Sequence, residues 1–239
     1  TANNTTSPVS FLSRRYLRIM PMYWIISGSL ILMMLLKGKI FDLATITTSL
    51  LLLPSANYPI LNVGWSLIHE LYFYSIFSLI LIISSPRIRL TILWVWALLS
   101  SSLYFYMFPE NPWLQVVTNP FNIEFTLGAT LAYAMSNIQS YSYRLWPHCI
   151  LATLMTLIYW ISQFGWYFPE SIERVIFFSL PISLLALAAL ISPPTSGPVA
   201  HFFERIGDAS YSIYLTHVPV LAVINTLAAP SSLQINVLF

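Results

Sequence analysis

Apolar residues run through this sequence in stretches close to the ~20 residues that a helix needs to cross a bilayer. Seven stretches qualify or nearly so, at roughly 19–36, 65–83, 90–108, 115–136, 148–165, 174–192 and 206–228. A further apolar run, Ile46 to Leu53, stops at Pro54. It is too short to span and reads as a re-entrant or interfacial piece. The gaps between runs are short and rich in Pro, Ser and Asn, as in Ser84-Ser85-Pro86 and Ser192-Pro193-Pro194. No stretch has the composition of a soluble domain or of a linker to one, and no internal repeat is visible. The pattern predicts an all-α integral membrane protein, a multi-spanning helical bundle with about seven transmembrane helices, preceded by a polar stretch at residues 1–10.

Composition removes the soluble alternative. Hydrophobic residues make up 57% of the 239 residues and charged residues 8%, against the quarter or so of a typical soluble domain. Mean hydropathy is +0.75. Eighteen Lys, Arg, Asp and Glu side chains cannot clothe the surface of a water-soluble globule this large, so lipid must be the main solvent. A net charge of +2 gives no reason to expect a nucleic-acid partner, and the single cysteine, Cys149, excludes an internal disulfide.

Charge placement then sets an orientation. With the N-terminal segment in the cytoplasm, Arg14, Arg15, Arg18, Arg87, Arg89, Arg144 and Arg205 fall inside, and Lys37, Lys39 and Arg174 outside. That bias obeys the positive-inside rule. Had Ile46 to Leu53 spanned, every later loop would flip and the bias would reverse.

Ionisable groups within a span are costly and point to function. Segment 65–83 carries His69 and Glu70, segment 115–136 carries Glu124, and segment 206–228 carries Asp208 and His217. Ser210, Tyr214 and His217 follow i, i+4, i+7 spacing and form a polar stripe on one helix face. His217 serves either a site or a helix carbonyl, and Ser210 and Tyr214 either a site or helix–helix contact. Glu70 is harder to assign to structure, because an anion this deep needs a partner or a proton. His69 lies about 100° round the helix from it. Arg14, Arg15 and Arg18 are either ordinary cytoplasmic anchors or a cluster whose guanidinium forks hold phosphates.

Four segments resemble the acyltransferase 3 family of membrane proteins. Phe11 to Tyr23 reads F-L-S-R-R-Y-L-R-I-M-P-M-Y, similar to that family's F-x-x-R-R-x-x-R-I-x-P-x-Y. Trp65 to Tyr74 reads W-S-L-I-H-E-L-Y-F-Y, similar to W-S-L-x-x-E-x-x-F-Y. Glu124 to Gly128 resembles E-F-x-x-G, and Gly207 to His217 resembles a segment with S-Y-x-x-Y-L-x-H. The four stand in the family's order and cover the chain from Phe11 to about Leu221.

The resemblance implies an O-acyltransferase of the bacterial inner membrane, moving an acyl group, acetyl above all, from acyl-CoA to a hydroxyl of a cell-surface or exported carbohydrate. It implies Glu70, Glu124 and His217 as catalytic residues and Arg14, Arg15 and Arg18 as ligands for the CoA phosphates. Trp65, Ser66, Tyr74, Ser210, Tyr211 and Tyr214 are expected to line the substrate site. No metal and no resident cofactor is expected; the partners are membrane lipid, acyl-CoA and the carbohydrate. The family's base histidine, its F-F-x-x-S-G span and its last span have no match here. The chain, which starts at Thr1, is therefore expected to be the interior of a roughly ten-span enzyme. A transporter or flippase of a lipid- or glycan-linked substrate and a non-catalytic membrane partner are the rival classes. The absence of a repeat and a count of only seven glycines argue against a carrier.

Overall fold

The computed structural model describes residues 7–107, 109–135, 145–164, 171–192 and 196–228, and all regular elements among these residues are helical. Arg144 and residues 1–6 of the polar N-terminal stretch lie outside them. The chain forms two compact units.

The first unit comprises Val9–Ser75, Asn111–Trp113 and Ser196–Phe239. It takes in most of α1 (Pro8–Leu36), α2 (Leu43–Leu50), the first turns of α3 (Gly64–Ile80), and α10 (Pro198–Ala228). Helix α1 starts eleven residues before the apolar stretch, so the arginines belong to the helix rather than to a loop ahead of it. Pro8 suits a first helical position, where its missing N–H costs nothing. At 1.5 Å per residue the 29 residues reach about 43 Å. Ile19, Met20, Tyr23, Ser27, Leu30, Ile31 and Met34 recur every three or four positions and form the buried stripe.

The short run after α1 forms α2, eight residues long, and so too short to cross a bilayer. Asp42 caps its start by accepting from the Thr45 N–H at 3.1 Å. A Schellman turn closes its end: the Leu52 N–H donates to the Ser49 carbonyl (3.2 Å) and the Leu53 N–H to the Thr48 carbonyl (2.9 Å). Leu52 occupies the left-handed position usually taken by glycine, with φ 52°. The strain of that conformation, about 1 kcal/mol, is offset by burial, since Leu52 is only 4% exposed.

The second unit comprises Thr1–Pro8, Ile76–Glu110 and Leu114–Thr195. Its helices are α4 (Pro86–Met107), most of α5 (Pro112–Thr118), α6 (Phe121–Met135), α7 (Trp146–Phe164), α8 (Ser171–Arg174) and α9 (Leu180–Ile191), with a π-helical turn at Val175–Ser179 between α8 and α9. Helix α4 packs on α6, and α7 on α9. Ala97, Ile123 and Val175 form a core against Trp94, Trp96, Leu127 and Ile172. Buried Trp160 of α7 meets both Phe177 (4.6 Å between centroids) and Phe178 (5.8 Å) of the π-helical turn. Segment 115–136, expected as one span, is two helices. Asn119 and Pro120 separate them: the proline disfavours helical backbone before it and has no N–H to continue α5. The Asn119 side chain then accepts from the Phe121 N–H at 2.9 Å and starts α6.

Among the described residues, three helices are long and apolar enough to cross a membrane by length and composition: Pro8–Leu36, Pro86–Met107 and Ile172–Ile191. Their exposed faces carry large apolar side chains, among them Leu17, Ile25, Leu32, Leu98 and Leu185. Ser27, Ser100, Ser101, Asn122 and Thr126 are buried. Small polar groups inside and large apolar groups outside suit lipid as the surrounding solvent. The chain is a membrane protein.

Candidate functional site

The candidate residues of the first unit gather along one face of α3. Ser66, Glu70 and Tyr74 are spaced i, i+4, i+8 and therefore stack. This spacing is readable in the sequence, although the polar stripe of the last helix draws attention first.

The upper level of the seam, nearest the start of α3, is a hydroxyl pair. Ser66 Oγ lies 2.5 Å from Tyr214 Oη of α10. Both hydroxyls also reach the Val63 carbonyl, Ser66 at 3.1 Å and Tyr214 at 3.2 Å. Neither imidazole nor carboxylate is among the described partners of Ser66. Nothing there takes its proton, so the arrangement is not that of an activated nucleophile.

The middle level holds Glu70. Tyr74 Oη donates to Glu70 Oε1 at 2.5 Å within the same helix. The hydroxyl of Tyr211 of α10 donates to the Ile19 carbonyl of α1 at 2.8 Å. The tyrosine thereby ties α10 to α1.

The lower level is cationic and aromatic. The Arg15 guanidinium lies over the Tyr74 ring, 5.2 Å from its centroid, and 5.4 Å from that of Phe11. The Phe11 and Tyr74 rings meet edge-on at 5.9 Å. Arg15 is half-buried, while Arg14 and Arg18 are exposed. Arg14 Nη1 donates to Ser10 Oγ at 2.7 Å on its own helix. The three arginines, one cluster in sequence, thus separate into one that faces α3 and two that face outward.

At the start of α3 lies a structural hub that the sequence does not announce. Buried Tyr23 of α1 donates to the Ser49 carbonyl at 2.8 Å, and the Ile60 N–H donates to Ser49 Oγ at 3.0 Å. Gly64 opens α3 directly against it. A methyl group there would stand 3.0 Å from Tyr23 Oη and 3.3 Å from Leu52 Cδ2. Glycine is what allows the first turn of α3, with Trp65 and Ser66, to sit so close to α1. Trp65 is half-buried, edge-on to His69 at 6.1 Å.

The expected stripe of Ser210, Tyr214 and His217 is divided. Tyr214 turns inward, whereas Ser210 and His217 lie on exposed positions of α10. The polar face of α10 that packs inward runs instead through Tyr211 and Tyr214, three apart. His217 Nδ1 donates to the Tyr214 carbonyl of its own helix at 2.5 Å.

Glu124 belongs to the second unit. Its Oε1 is 3.3 Å from Arg174 Nε, and the Arg174 guanidinium stacks on Phe121 at 4.4 Å. Both partners keep some exposure, 23% and 38%, so this is a half-screened ion pair within that unit.

Comparison with known proteins adds two findings. Residues 3–239 match the model of the acyltransferase 3 family, described as an acyltransferase domain. The exopolysaccharide production protein ExoZ of Rhizobium meliloti (strain 1021) is 24% identical over 255 residues, covering 92% of this chain and 70% of that protein. No solved structure matches the chain.

Proposed function

The chain belongs to the acyltransferase 3 family, and from that premise we propose that it transfers an acyl group, acetyl in the first instance, from acyl-CoA to a hydroxyl of an exported or cell-surface polysaccharide. An O-acyltransferase activity is what the family provides. The polysaccharide acceptor is inferred from the role in exopolysaccharide production named for the Rhizobium relative. An orientation with the N-terminal arginines on the cytoplasmic face of a bacterial inner membrane would place those arginines where acyl-CoA is available.

The observation that carries this reading is Glu70, a carboxylate held by Tyr74 inside an apolar helix. A membrane bundle does not keep such a charge without use for it. In the reaction, a base takes the proton of the acceptor hydroxyl as its oxygen attacks the thioester carbonyl carbon. The tetrahedral oxyanion then collapses, the C–S bond breaks, and the CoA thiolate leaves and receives the proton. Glu70 orients the base histidine that the family resemblance calls for and stabilises its imidazolium. Ser66 and Tyr214, whose protons are directed to the Val63 carbonyl or to each other, line the acceptor site and offer hydroxyl oxygens that accept from the sugar. Arg14 and Arg18 hold the CoA phosphates. His217, on an exposed position of α10, is a further group available for proton handling, whereas Glu124 is engaged by Arg174 within its own unit.

The test is a Glu70→Gln substitution in the chromosomal gene, with acyl esters on purified surface polysaccharide measured by NMR. Loss of the esters at an unchanged membrane level of the protein is expected. Normal esterification would refute the role.

A further inference from the structure

We propose that Arg15 and Tyr74 are positioning residues for Glu70, and that Arg15 is not one of the arginines that bind the CoA phosphates. This inference rests on the reading of Glu70 given above and sharpens it.

Three observations converge. Tyr74 has one O–H, and it is directed at Glu70 Oε1 at 2.5 Å, so it cannot also donate to a sugar. The ring that carries this hydroxyl is held on two sides, by the guanidinium of Arg15 at 5.2 Å and by the edge of Phe11 at 5.9 Å. Arg15 is withdrawn between those rings, while Arg14 and Arg18 face outward.

The chemistry follows from the geometry. A cation over the face of a phenol draws density from the ring and makes its hydroxyl a better donor. A charge-assisted O–H···O⁻ bond is short and directional. Together they fix the carboxylate's rotamer and leave Oε2 as the oxygen that meets the base; among the described residues no hydrogen bond engages Oε2. A displacement of about 1 Å in such a group costs on the order of 100-fold in rate. Arg14 and Arg18 are i, i+4 on the exposed side of α1 and present two forks to one phosphate-rich ligand.

The experiment measures initial rates of transfer from radiolabelled acetyl-CoA to endogenous polysaccharide, in membranes of cells that carry each substitution in the native gene. Tyr74→Phe keeps the ring and removes the donor. It is expected to lower kcat about 10- to 100-fold with KM for acetyl-CoA changed less than twofold. Arg15→Gln should do the same, and Arg15→Lys, which keeps a cation over the rings, should recover part of kcat. Arg14→Gln and Arg18→Gln should instead raise KM for acetyl-CoA with kcat largely retained.

Two results would overturn the proposal. One is a raised KM in Arg15→Gln matching that of its neighbours. The other is an unaltered kcat in Tyr74→Phe. If Glu70→Gln is inactive while Tyr74→Phe and Arg15→Gln behave as wild type, the positioning role fails and the role of Glu70 stands. If Glu70→Gln is itself fully active, both fail. Should Arg15→Gln not accumulate in the membrane, the Lys variant and Tyr74→Phe decide the matter.

Discussion

In the unit containing α1, α2 and α10, Ser and Thr hydroxyls such as those of Ser29 and Thr216 turn back on their own helix, but four aromatic donors leave theirs and end on backbone carbonyls elsewhere: Tyr23 on Ser49, Trp24 on Leu50, Tyr211 on Ile19 and Tyr214 on Val63. In the unit containing α4, α6, α7 and α9, hydroxyls mostly turn back on their own helix, as in Ser101 to Ala97, Thr126 to Asn122 and Thr156 to Ala152. Its cross-helix bonds run chiefly between side chains, such as Trp94 to Thr130 and Asn122 to Ser100, with Thr153 to the Pro181 carbonyl as an exception. A bond to a carbonyl locates a side chain against the backbone, whereas two side chains can shift together. The first arrangement suits a unit that must hold a carboxylate in place, and the second suits a scaffold.

The contrast can be broken or sharpened in four steps of decreasing effect. The carboxylates come first: Glu70→Gln should cost at least about 100-fold in transfer with little change in stability. Glu124→Gln should act mainly on stability, and equal loss of transfer in both variants would break the distinction. Gly64→Ala comes next, with an expected destabilisation of about 1–3 kcal/mol from the added methyl group, read as a lower unfolding midpoint in detergent. Tyr23→Phe removes one hydrogen bond, about 1 kcal/mol. Because it also removes the atom 3.0 Å from the new methyl group, the double variant should lose less than the sum of the two. Additive losses would show that the Tyr23 hydroxyl is not what Gly64 accommodates.

The Glu124–Arg174 pair is third. Its partial exposure limits the loss in Glu124→Gln to about 1 kcal/mol, or roughly 2–4 °C in a chain of this size. An unchanged midpoint would assign the pair no structural part. The smallest effect concerns Asp42. The hydrogen bond from the Thr45 side chain, helped by that from the Thr45 backbone, holds its carboxyl below the usual 3.8. A group whose folded value is depressed stabilises above its unfolded value and loses that contribution as pH falls through the folded one. Acid should therefore loosen α2 slightly, and Asp42→Asn should flatten that response below about pH 4. An identical acid response in the variant would exclude the cap as its cause.

How much of this was legible depends on the range of the interaction. Helices fall on all the apolar stretches because hydropathy and prolines act locally. The break at Asn119 and Pro120 is written in the sequence but hidden in a hydropathy window, which averages over it. The start of α1 is hidden for the same reason, since the arginine turns are polar yet helical. The stack of Ser66, Glu70 and Tyr74 follows from periodicity alone. The hub of Tyr23, Ser49, Leu52 and Gly64 does not, because it joins residues up to 41 positions apart that share no local pattern. The division of the arginines likewise needed α3 in place, because only the rings of Phe11 and Tyr74 distinguish Arg15 from its neighbours.

Among the contacts that dock helix α1 are two eight residues apart, Arg15 against Tyr74 and Tyr23 against Ser49. Between them runs continuous helix, passing through Pro21. One residue gained or lost in that interval would move one contact by 1.5 Å along the axis and turn it by about 100° relative to the other. Evolution can exchange side chains there, but it cannot change their number without abandoning one of the two contacts. The loop at 37–42 has no such constraint, so length variation among related chains should accumulate there and be absent between Arg15 and Tyr23.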